Sequence, residues 1–363
     1  MAAAAWAFDD FARRLHVRGP AQTHRSQAMV KLNSQDAHMT KVLISILNWK
    51  GADKTLDCVE SVRNSILPDT LQCDIRVVDN GSGTTQVEIL KSGLPPDVEL
   101  VENPVNTGFT GGQNLNIHHA LSHDYDYVFL LNNDTIVDPG AIAEVIHAMS
   151  RDPRCGAGSP VIARMGHRDI VDFCGGIHDW TLIDTVRPVT FADAPRFLAD
   201  HTDQVWAVGT ALMLKVAALR EVGVLDERMF AYYEDDDMGA RLIADGWRTR
   251  IVMSAVVEHA CFDGDMYQRQ PYFFYLMTRN AIFFALKHVP PGYRKGLRLR
   301  YIDRSLVMAE KLFAQGQADK ARACMLGLAD GLAGRGGAPV LDRPVPLWVR
   351  ALRPLSRAWN ARR

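Results

Sequence analysis

Four short apolar runs, KVLISILN (41–48), CDIRVVDN (73–80), VELVEN (98–103) and YVFLLN (127–132), are spaced along the chain by turns and by stretches of helical period. Apolar, β-branched runs of this length read as strands buried on both faces. The helical stretches pass through Thr55, Val59, Val62 and Ile66 up to Pro68, from Gln113 to Leu121 after a glycine-rich loop, and from Pro139 to Met149. Proline suits the first turn of that last helix. The pattern predicts an α/β fold with a mostly parallel central sheet covered by helices. In open sheets of this kind ligands sit beyond the carboxyl ends of the strands. Those ends are Asn48-Trp49, Asp79-Asn80-Gly81, Asn103 to Gly112 and Asn132-Asn133-Asp134, all polar or glycine-rich.

The second half is less regular. Residues 165–203 are loop-rich, AVGTALML (207–214) reads as a buried strand, Glu234 to Ala244 as a helix, RTRIVMSAVVEHA (248–260) as extended chain, and 271–332 as mostly helical. The chain divides into a poorly ordered N-terminal extension (1–39), a sheet domain (40–268), a helical C-terminal region (269–332) and a basic Pro- and Arg-rich tail (333–363). The extension has neither the basic leader nor the apolar core of a signal peptide. No stretch reaches the ~20 uninterrupted apolar residues of a membrane span. The closest, Tyr272 to Val289, is broken by Arg279 and Asn280.

An apolar fraction of 47% and a charged fraction of 23% exclude a mainly disordered chain. The net charge of −1 argues against a nucleic-acid binder, but it is unevenly spread. Arg294 to Arg363 holds 15 Lys and Arg against 5 Asp and Glu. This basic end is either an ordinary solvated face or one that meets something anionic, such as a membrane surface or a phosphorylated lipid. The six cysteines form no C-x-x-C pair, so neither a zinc site nor a redox motif is written here. They read as small buried hydrophobes in a reducing compartment.

Four constellations carry chemistry. Asp79 closes a strand and opens Asp-Asn-Gly-Ser, where it serves either the turn or a base or ribose at the sheet rim. Asn106 to Asn114 places Gly108, Gly111 and Gly112 ahead of a helix, so that backbone N–H groups can approach an anion. The spacing fits neither a P-loop nor a dinucleotide fingerprint. Asn132, Asn133 and Asp134 follow an apolar strand, either as an Asx turn or as hard oxygen ligands for Mg²⁺ or Mn²⁺. One carboxylate makes a weak metal site, and His259, after a hydrophobic strand, is a candidate further ligand. Glu234-Asp235-Asp236-Asp237 suits the positive end of a helix, yet four adjacent carboxylates exceed what capping needs. Beside a cleft, one of them could deprotonate a hydroxyl nucleophile and another could position the acceptor.

Taken in order, ILNWKG, VVDNGS, NTGFTGGQN, LLNNDT, VGTALML, FAYYEDDD with RLIADGWR, and VEHACF resemble the family 2 glycosyltransferases, in their rhamnosyltransferase-like branch, from about Lys41 to Lys287. The resemblance implies the GT-A fold, a Rossmann-like nucleotide-binding domain, here with a helical C-terminal extension. It implies that Asn48 and Asp79 contact the donor's base and ribose, and that Asn106, Gly108, Gly112, Asn114, Asn132 and Asn133 line the donor site. Asp134 matches the family's ligand for a divalent metal, Mg²⁺ or Mn²⁺, and His259 a position that completes the site in some relatives. Asn132 stands where the acidic triplet has its first Asp, which weakens the hold on an ion.

By the same resemblance, Asp235 is the general base of a Glu-Asp-x-Asp pattern, and Glu234, Asp237 and Gly209 shape the acceptor pocket. The implied reaction is an inverting transfer from a dTDP- or UDP-linked sugar to a saccharide or polyprenyl-linked saccharide in bacterial cell-surface polysaccharide synthesis. The Asn-Asn-Asp variant tilts the donor towards dTDP-rhamnose over UDP-hexoses. The implied setting is the cytoplasm, peripheral at the inner face of the membrane through the basic C-terminal region. A sugar nucleotidyltransferase is disfavoured, because Asn48-Trp49-Lys50-Gly51 stands where that class has an Arg- and Lys-bearing glycine loop. A non-catalytic nucleotide-sugar-binding module is disfavoured by the intact acidic cluster.

Overall fold

The computed structural model describes residues 39–181, 184–262, 264–349 and 352, which lie in one compact unit. The expected N-terminal extension falls outside the described residues, save Met39. Strands β1 (Thr40–Asn48), β2 (Leu71–Asn80), β3 (Glu99–Asn103) and β4 (Tyr127–Asn132) are parallel, and between them run helices α1 (Ala52–Arg63), α2 (Thr84–Gly93) and α3 (Gly108–Ser122). There follow β5 (Thr135–Val137), α4 (Ala141–Ser150), β6 (Cys155–Arg164), β7 (His167–Phe173) and a hairpin of β8 (Ile177–Asp179) and β9 (Asp184–Val186). Next come α5 (Ala194–Asp200), β10 (Ala211–Lys215), α6 (Val216–Val222), α7 (Glu234–Ala244) and β11 (Arg248–His259). Three long helices close the described chain: α8 (Pro271–His288), α9 (Leu297–Ala314) and α10 (Ala318–Ala333).

The main sheet runs β3-β2-β1-β4-β10-β6-β11-β5, with β7 beside β6. It is mixed rather than purely parallel: β10 is antiparallel to both β4 and β6, β5 to β11, and β7 to β6. Alternation along β1 shows why its run carries no polar face. Val42, Ile44 and Ile46 pack with Cys58, Val59 and Val62 of α1 on one side, while Leu43 packs with Ile117 of α3 and Leu130 on the other. Each such buried aliphatic side chain contributes ~1.5–3 kcal/mol, so a polar residue on either face would be costly.

Two sequence expectations shift. The glycines at 108–112 are not a loop before the helix but the first turns of α3. Gly112 lies so close to Leu47 that a side chain there would overlap it, so its bareness lets α3 press on the sheet. In AVGTALML, only Ala211 onward is strand, and 207–210 forms the turn that precedes it. All six cysteines are free thiols, four of them buried; burial pushes the Cys58 thiol up to about 12, which leaves it inert.

Candidate active site

The parallel register brings the polar strand ends side by side: Asn48 is level with Asp79, Asn80 with Asn103, and Leu47 with Asn132. These groups form a fixed network of hydrogen bonds. Asn48 donates from Nδ2 to Asp79 Oδ1 (2.7 Å), and Asp79 Oδ2 accepts from the Ser82 N–H (3.1 Å). Asn133 donates to Asn48 Oδ1 (3.3 Å), to the Gly51 carbonyl (3.1 Å) and to Thr55 (3.0 Å). Asn80 donates to Asn106 Oδ1 (3.1 Å) and to the Gly108 carbonyl (2.9 Å), and accepts from Asn103 (2.9 Å) and the Thr107 N–H (3.1 Å). Amides suit this rim because each both donates and accepts, so the network closes on itself.

Over this rim lies a cavity of about 520 Å³. One wall holds Asn80, Asn106, Gly108, Asn132, Asn133 and Asp134; the floor is apolar, from Leu47, Trp49 and Phe109. Phe230, Ala231 and Tyr232, the segment that leads directly into α7, complete the lining, with Phe230 packed against Gly108. Its backbone is unusual: Phe230, Tyr232 and Tyr233 have φ of 64°, 68° and 72°. Left-handed conformations in such bulky residues cost roughly 1–3 kcal/mol each and persist only where the surroundings enforce them.

At the mouth, Asp134 Oδ1 lies 3.4 Å from His259 Nε2, and Asp134 Oδ2 lies 3.9 Å from Lys54 Nζ. Burial opposes ionisation of Asp134, but the His259 hydrogen bond and charge outweigh it and hold its carboxyl below the usual range. The other ring nitrogen of His259, Nδ1, meets Asp172 Oδ2 at 2.8 Å. Burial alone would lower the His259 pKa; the two flanking carboxylates win and raise it to about 9. A carboxylate and an imidazole nitrogen, the latter backed by a second carboxylate, make a donor set that fits Mn²⁺ and less closely Mg²⁺. Among the described residues, Asp172, His259 and Cys261 also bring ligand atoms within 4.8 Å of one another. Burial pushes the Cys261 thiol up to about 11, so it stays a thiol and is unsuited to a hard cation.

The four carboxylates of α7 meet four different surroundings. Asp237 is fully buried, yet His288 (2.7 Å), Arg241 (2.8 Å) and Lys287 (2.6 Å) outweigh burial and hold it well below the carboxylate range. Asp236 lies 3.6 Å from His178 Nδ1, and burial followed by the Asp235 and Glu234 charges pushes it well up. Glu234 is pushed well up by burial and then by Asp235, and its Oε2 has no hydrogen-bond partner among the described residues. Asp235 is also raised by burial, but here backbone N–H groups oppose the shift: Gly209 donates to Oδ2 (2.9 Å) and Asp236 to Oδ1 (2.9 Å). Backbone N–H groups also oppose the shift at Glu234 and Asp236, but at Asp235 they follow burial directly as the next-largest influence.

Of the expected site residues the cavity lining includes Asn106, Gly108, Asn132, Asn133 and Asp134, but not Glu234, Asp235 or His259. Asn48, Asp79 and Gly112 are buried behind its wall. There Asp79 serves the turn. Asn114 is spent elsewhere: it donates to the Leu225 carbonyl (3.0 Å) and Glu227 (2.9 Å) and accepts from the Leu225 N–H (3.1 Å), which ties α3 to the chain ahead of α7. Asp237 is locked in its ion cluster rather than open to an acceptor. Gly209 sits against the Phe109 ring, at the edge of the cavity. Sequence reasoning missed Asp172 and the 230–232 segment. Only the aromatic FAYY ahead of the acids hinted at the last.

The description "Glycosyl transferase family 2" matches residues 42–171, and "Glycosyl transferase family group 2" matches residues 127–276. The N-acetylglucosaminyl-diphospho-decaprenol L-rhamnosyltransferase of Mycobacterium tuberculosis is 31% identical over 208 residues, covering 51% of this chain and 66% of that protein, just under two thirds of its length. A mannosyltransferase from Pyrobaculum calidifontis, solved with GDP-Man and Mn²⁺, superposes with a TM-score of 0.51 at 16% identity, over 88% of this chain and 80% of its own. TarS 1-349 of S. aureus, solved with UDP-GlcNAc, gives 0.53 at 13% identity, over 89% and 88%. At these identities the structural likeness is one of fold.

Proposed function

Since the chain belongs to glycosyl transferase family 2 and has the GT-A fold, we propose that it transfers rhamnose from dTDP-rhamnose to a hydroxyl of a lipid-linked saccharide. The observation that carries a transferase reading is the cavity itself, lined by Asp134 and by residues 230–232, which lead into Asp235. The identity to a rhamnosyltransferase that acts on a decaprenol-linked sugar supports the choice of donor and acceptor.

In this reading the donor nucleotide lies along the asparagine rim, and its diphosphate points to Asp134 and His259, which would hold the divalent ion. Such an ion supplies positive charge against the departing diphosphate. Asp172 holds the His259 ring so that Nε2 faces Asp134. Asp235 takes the proton of the acceptor hydroxyl while its oxygen forms the bond to the anomeric carbon. The bond from that carbon to the diphosphate oxygen breaks on the opposite face, so the configuration inverts and no glycosyl-enzyme forms. Burial raises the Glu234 pKa, which favours its neutral form beside Asp235.

No helix of the described residues is long and apolar enough to cross a membrane. A lipid-linked acceptor and the basic stretch Arg294 to Arg363 are what favour peripheral contact at the inner membrane face. The deciding experiment offers dTDP-rhamnose and a panel of UDP-hexoses, with Mn²⁺ or Mg²⁺, alongside a diphospholipid-linked N-acetylglucosamine. Product and dTDP release with dTDP-rhamnose are expected. Product from a UDP-hexose alone would overturn the donor assignment, and nucleotide binding without any transfer would overturn the enzyme reading.

A further inference from the structure

We propose that Arg279 and Asn280, the two residues that interrupt the apolar stretch of α8, are positioning residues that clamp the cavity wall and the start of the acidic helix in working geometry. Both side chains are fully buried and lie beyond residue 276, where the family matches end.

The clamp is written in the backbone carbonyls of 228–232. Asn280 Nδ2 donates to the carbonyls of Met229, Ala231 and Tyr232, each at 2.8 Å. Arg279 donates through Nη2 to the carbonyls of Arg228 (3.0 Å) and Met229 (2.9 Å), and through Nε to Asn280 Oδ1 (2.9 Å), which fixes the amide's orientation. The remaining carbonyl, that of Phe230, accepts from the Thr110 N–H of α3 (3.1 Å). Five successive carbonyls are therefore held from outside the segment. This is the segment whose left-handed residues an isolated chain would not keep, and it continues without a break into Glu234 and Asp235. Arg279 Nη1 also holds the Gly337 carbonyl (2.6 Å), two residues before Pro339, itself part of the cavity lining.

A helix that needed only to pack would place apolar residues at these buried positions. A buried guanidinium aimed at carbonyl oxygens, with an amide beside it, specifies a backbone path instead. Its planar fork reaches several carbonyls at once, which a lysine ammonium cannot reproduce.

The structural part of this inference stands alone, whereas its kinetic part rests on the transferase reading, so the test reads both. In the full-length protein, Asn280→Ala should speed amide hydrogen exchange across 228–233 by about tenfold or more and leave β1 and β4 unchanged. It should lower kcat about tenfold or more while the donor KM moves less than about threefold, because the asparagine rim stays in place. Arg279→Lys should do the same, and decides the matter if Asn280→Ala does not fold. Wild-type exchange and kcat in either folded variant would overturn the proposal, as would a uniform rise in exchange with a lowered melting point, which marks a merely structural role. If the wild type transfers no sugar while the exchange result holds, the transferase reading fails and the clamp survives.

Discussion

A carboxylate can act as a base only if it is ionised before the acceptor arrives, and the four acids of α7 meet unlike partners. Asp237 is held low by His288, Arg241 and Lys287, and burial favours the neutral forms of Glu234 and Asp236. Asp235 is raised by burial too, against the N–H groups of Gly209 and Asp236. Asp235→Asn should reduce turnover by about 10²–10⁴-fold while thermal stabilisation by the donor nucleotide persists. Near wild-type rates would remove it as base. Asp172→Asn should weaken Mn²⁺ binding by about 10–100-fold, read from the free-ion EPR signal, because the His259 ring loses its anchor. Equal affinities would show that Asp172 orients nothing. The two residues differ in legibility. Asp235 stands in a run too acidic to be capping alone, whereas Asp172 is one acid in a loop-rich stretch, and only the pairing of β7 with β6 brings it beneath His259.

Among the elements, α3 is the one whose start matters most. Gly108 has φ +77°, and a Cβ there would overlap the Phe230 carbonyl, so Gly108→Ala meets both backbone strain and a rigid neighbour. Gly83 has φ +97° with nothing within 4 Å, so its alanine variant meets strain alone. Gly83→Ala should cost roughly 1 kcal/mol, and Gly108→Ala about twice that or more, read from urea midpoints at constant slope. Equal losses would mean that the Phe230 carbonyl yields freely. Helix α7 was legible from 234 to 244, since acids mark its first turn and an apolar face follows. The start of α3 was not, because glycines read as loop wherever close packing is invisible. Nor was the direction of β10, since an apolar run is the same in either sense and the sequence shows no short crossover to betray it.

In the molecule as a whole, His178 of the small hairpin joins the parts. Its ring stacks on Trp206 (5.3 Å between centroids, 5° apart), contacts Phe284 of α8 and faces Asp236 of α7. Burial, with the His288 charge behind it, lowers its pKa from 6.5 to about 4. The folded protein thus refuses a proton that the unfolded chain accepts between those values. Stability should be full above pH 6.5 and fall as pH drops towards 4, by about 2 kcal/mol on reaching pH 5. His178→Phe should flatten that part of the curve in urea titrations at pH 7 and pH 5. An unchanged slope would place the acid sensitivity elsewhere.

The counter-ions of Asp237 have a practical corollary. Lys287 and His288 reach it from the last turn of α8, past the point where the family description stops. A hybrid that kept residues 40–276 and joined a foreign sequence there would leave Asp237 buried with Arg241 as its one remaining cationic partner among the described residues. The smallest portable unit therefore runs at least through His288, because grafts cut at the homology boundary would lose two of the three side chains that hold Asp237.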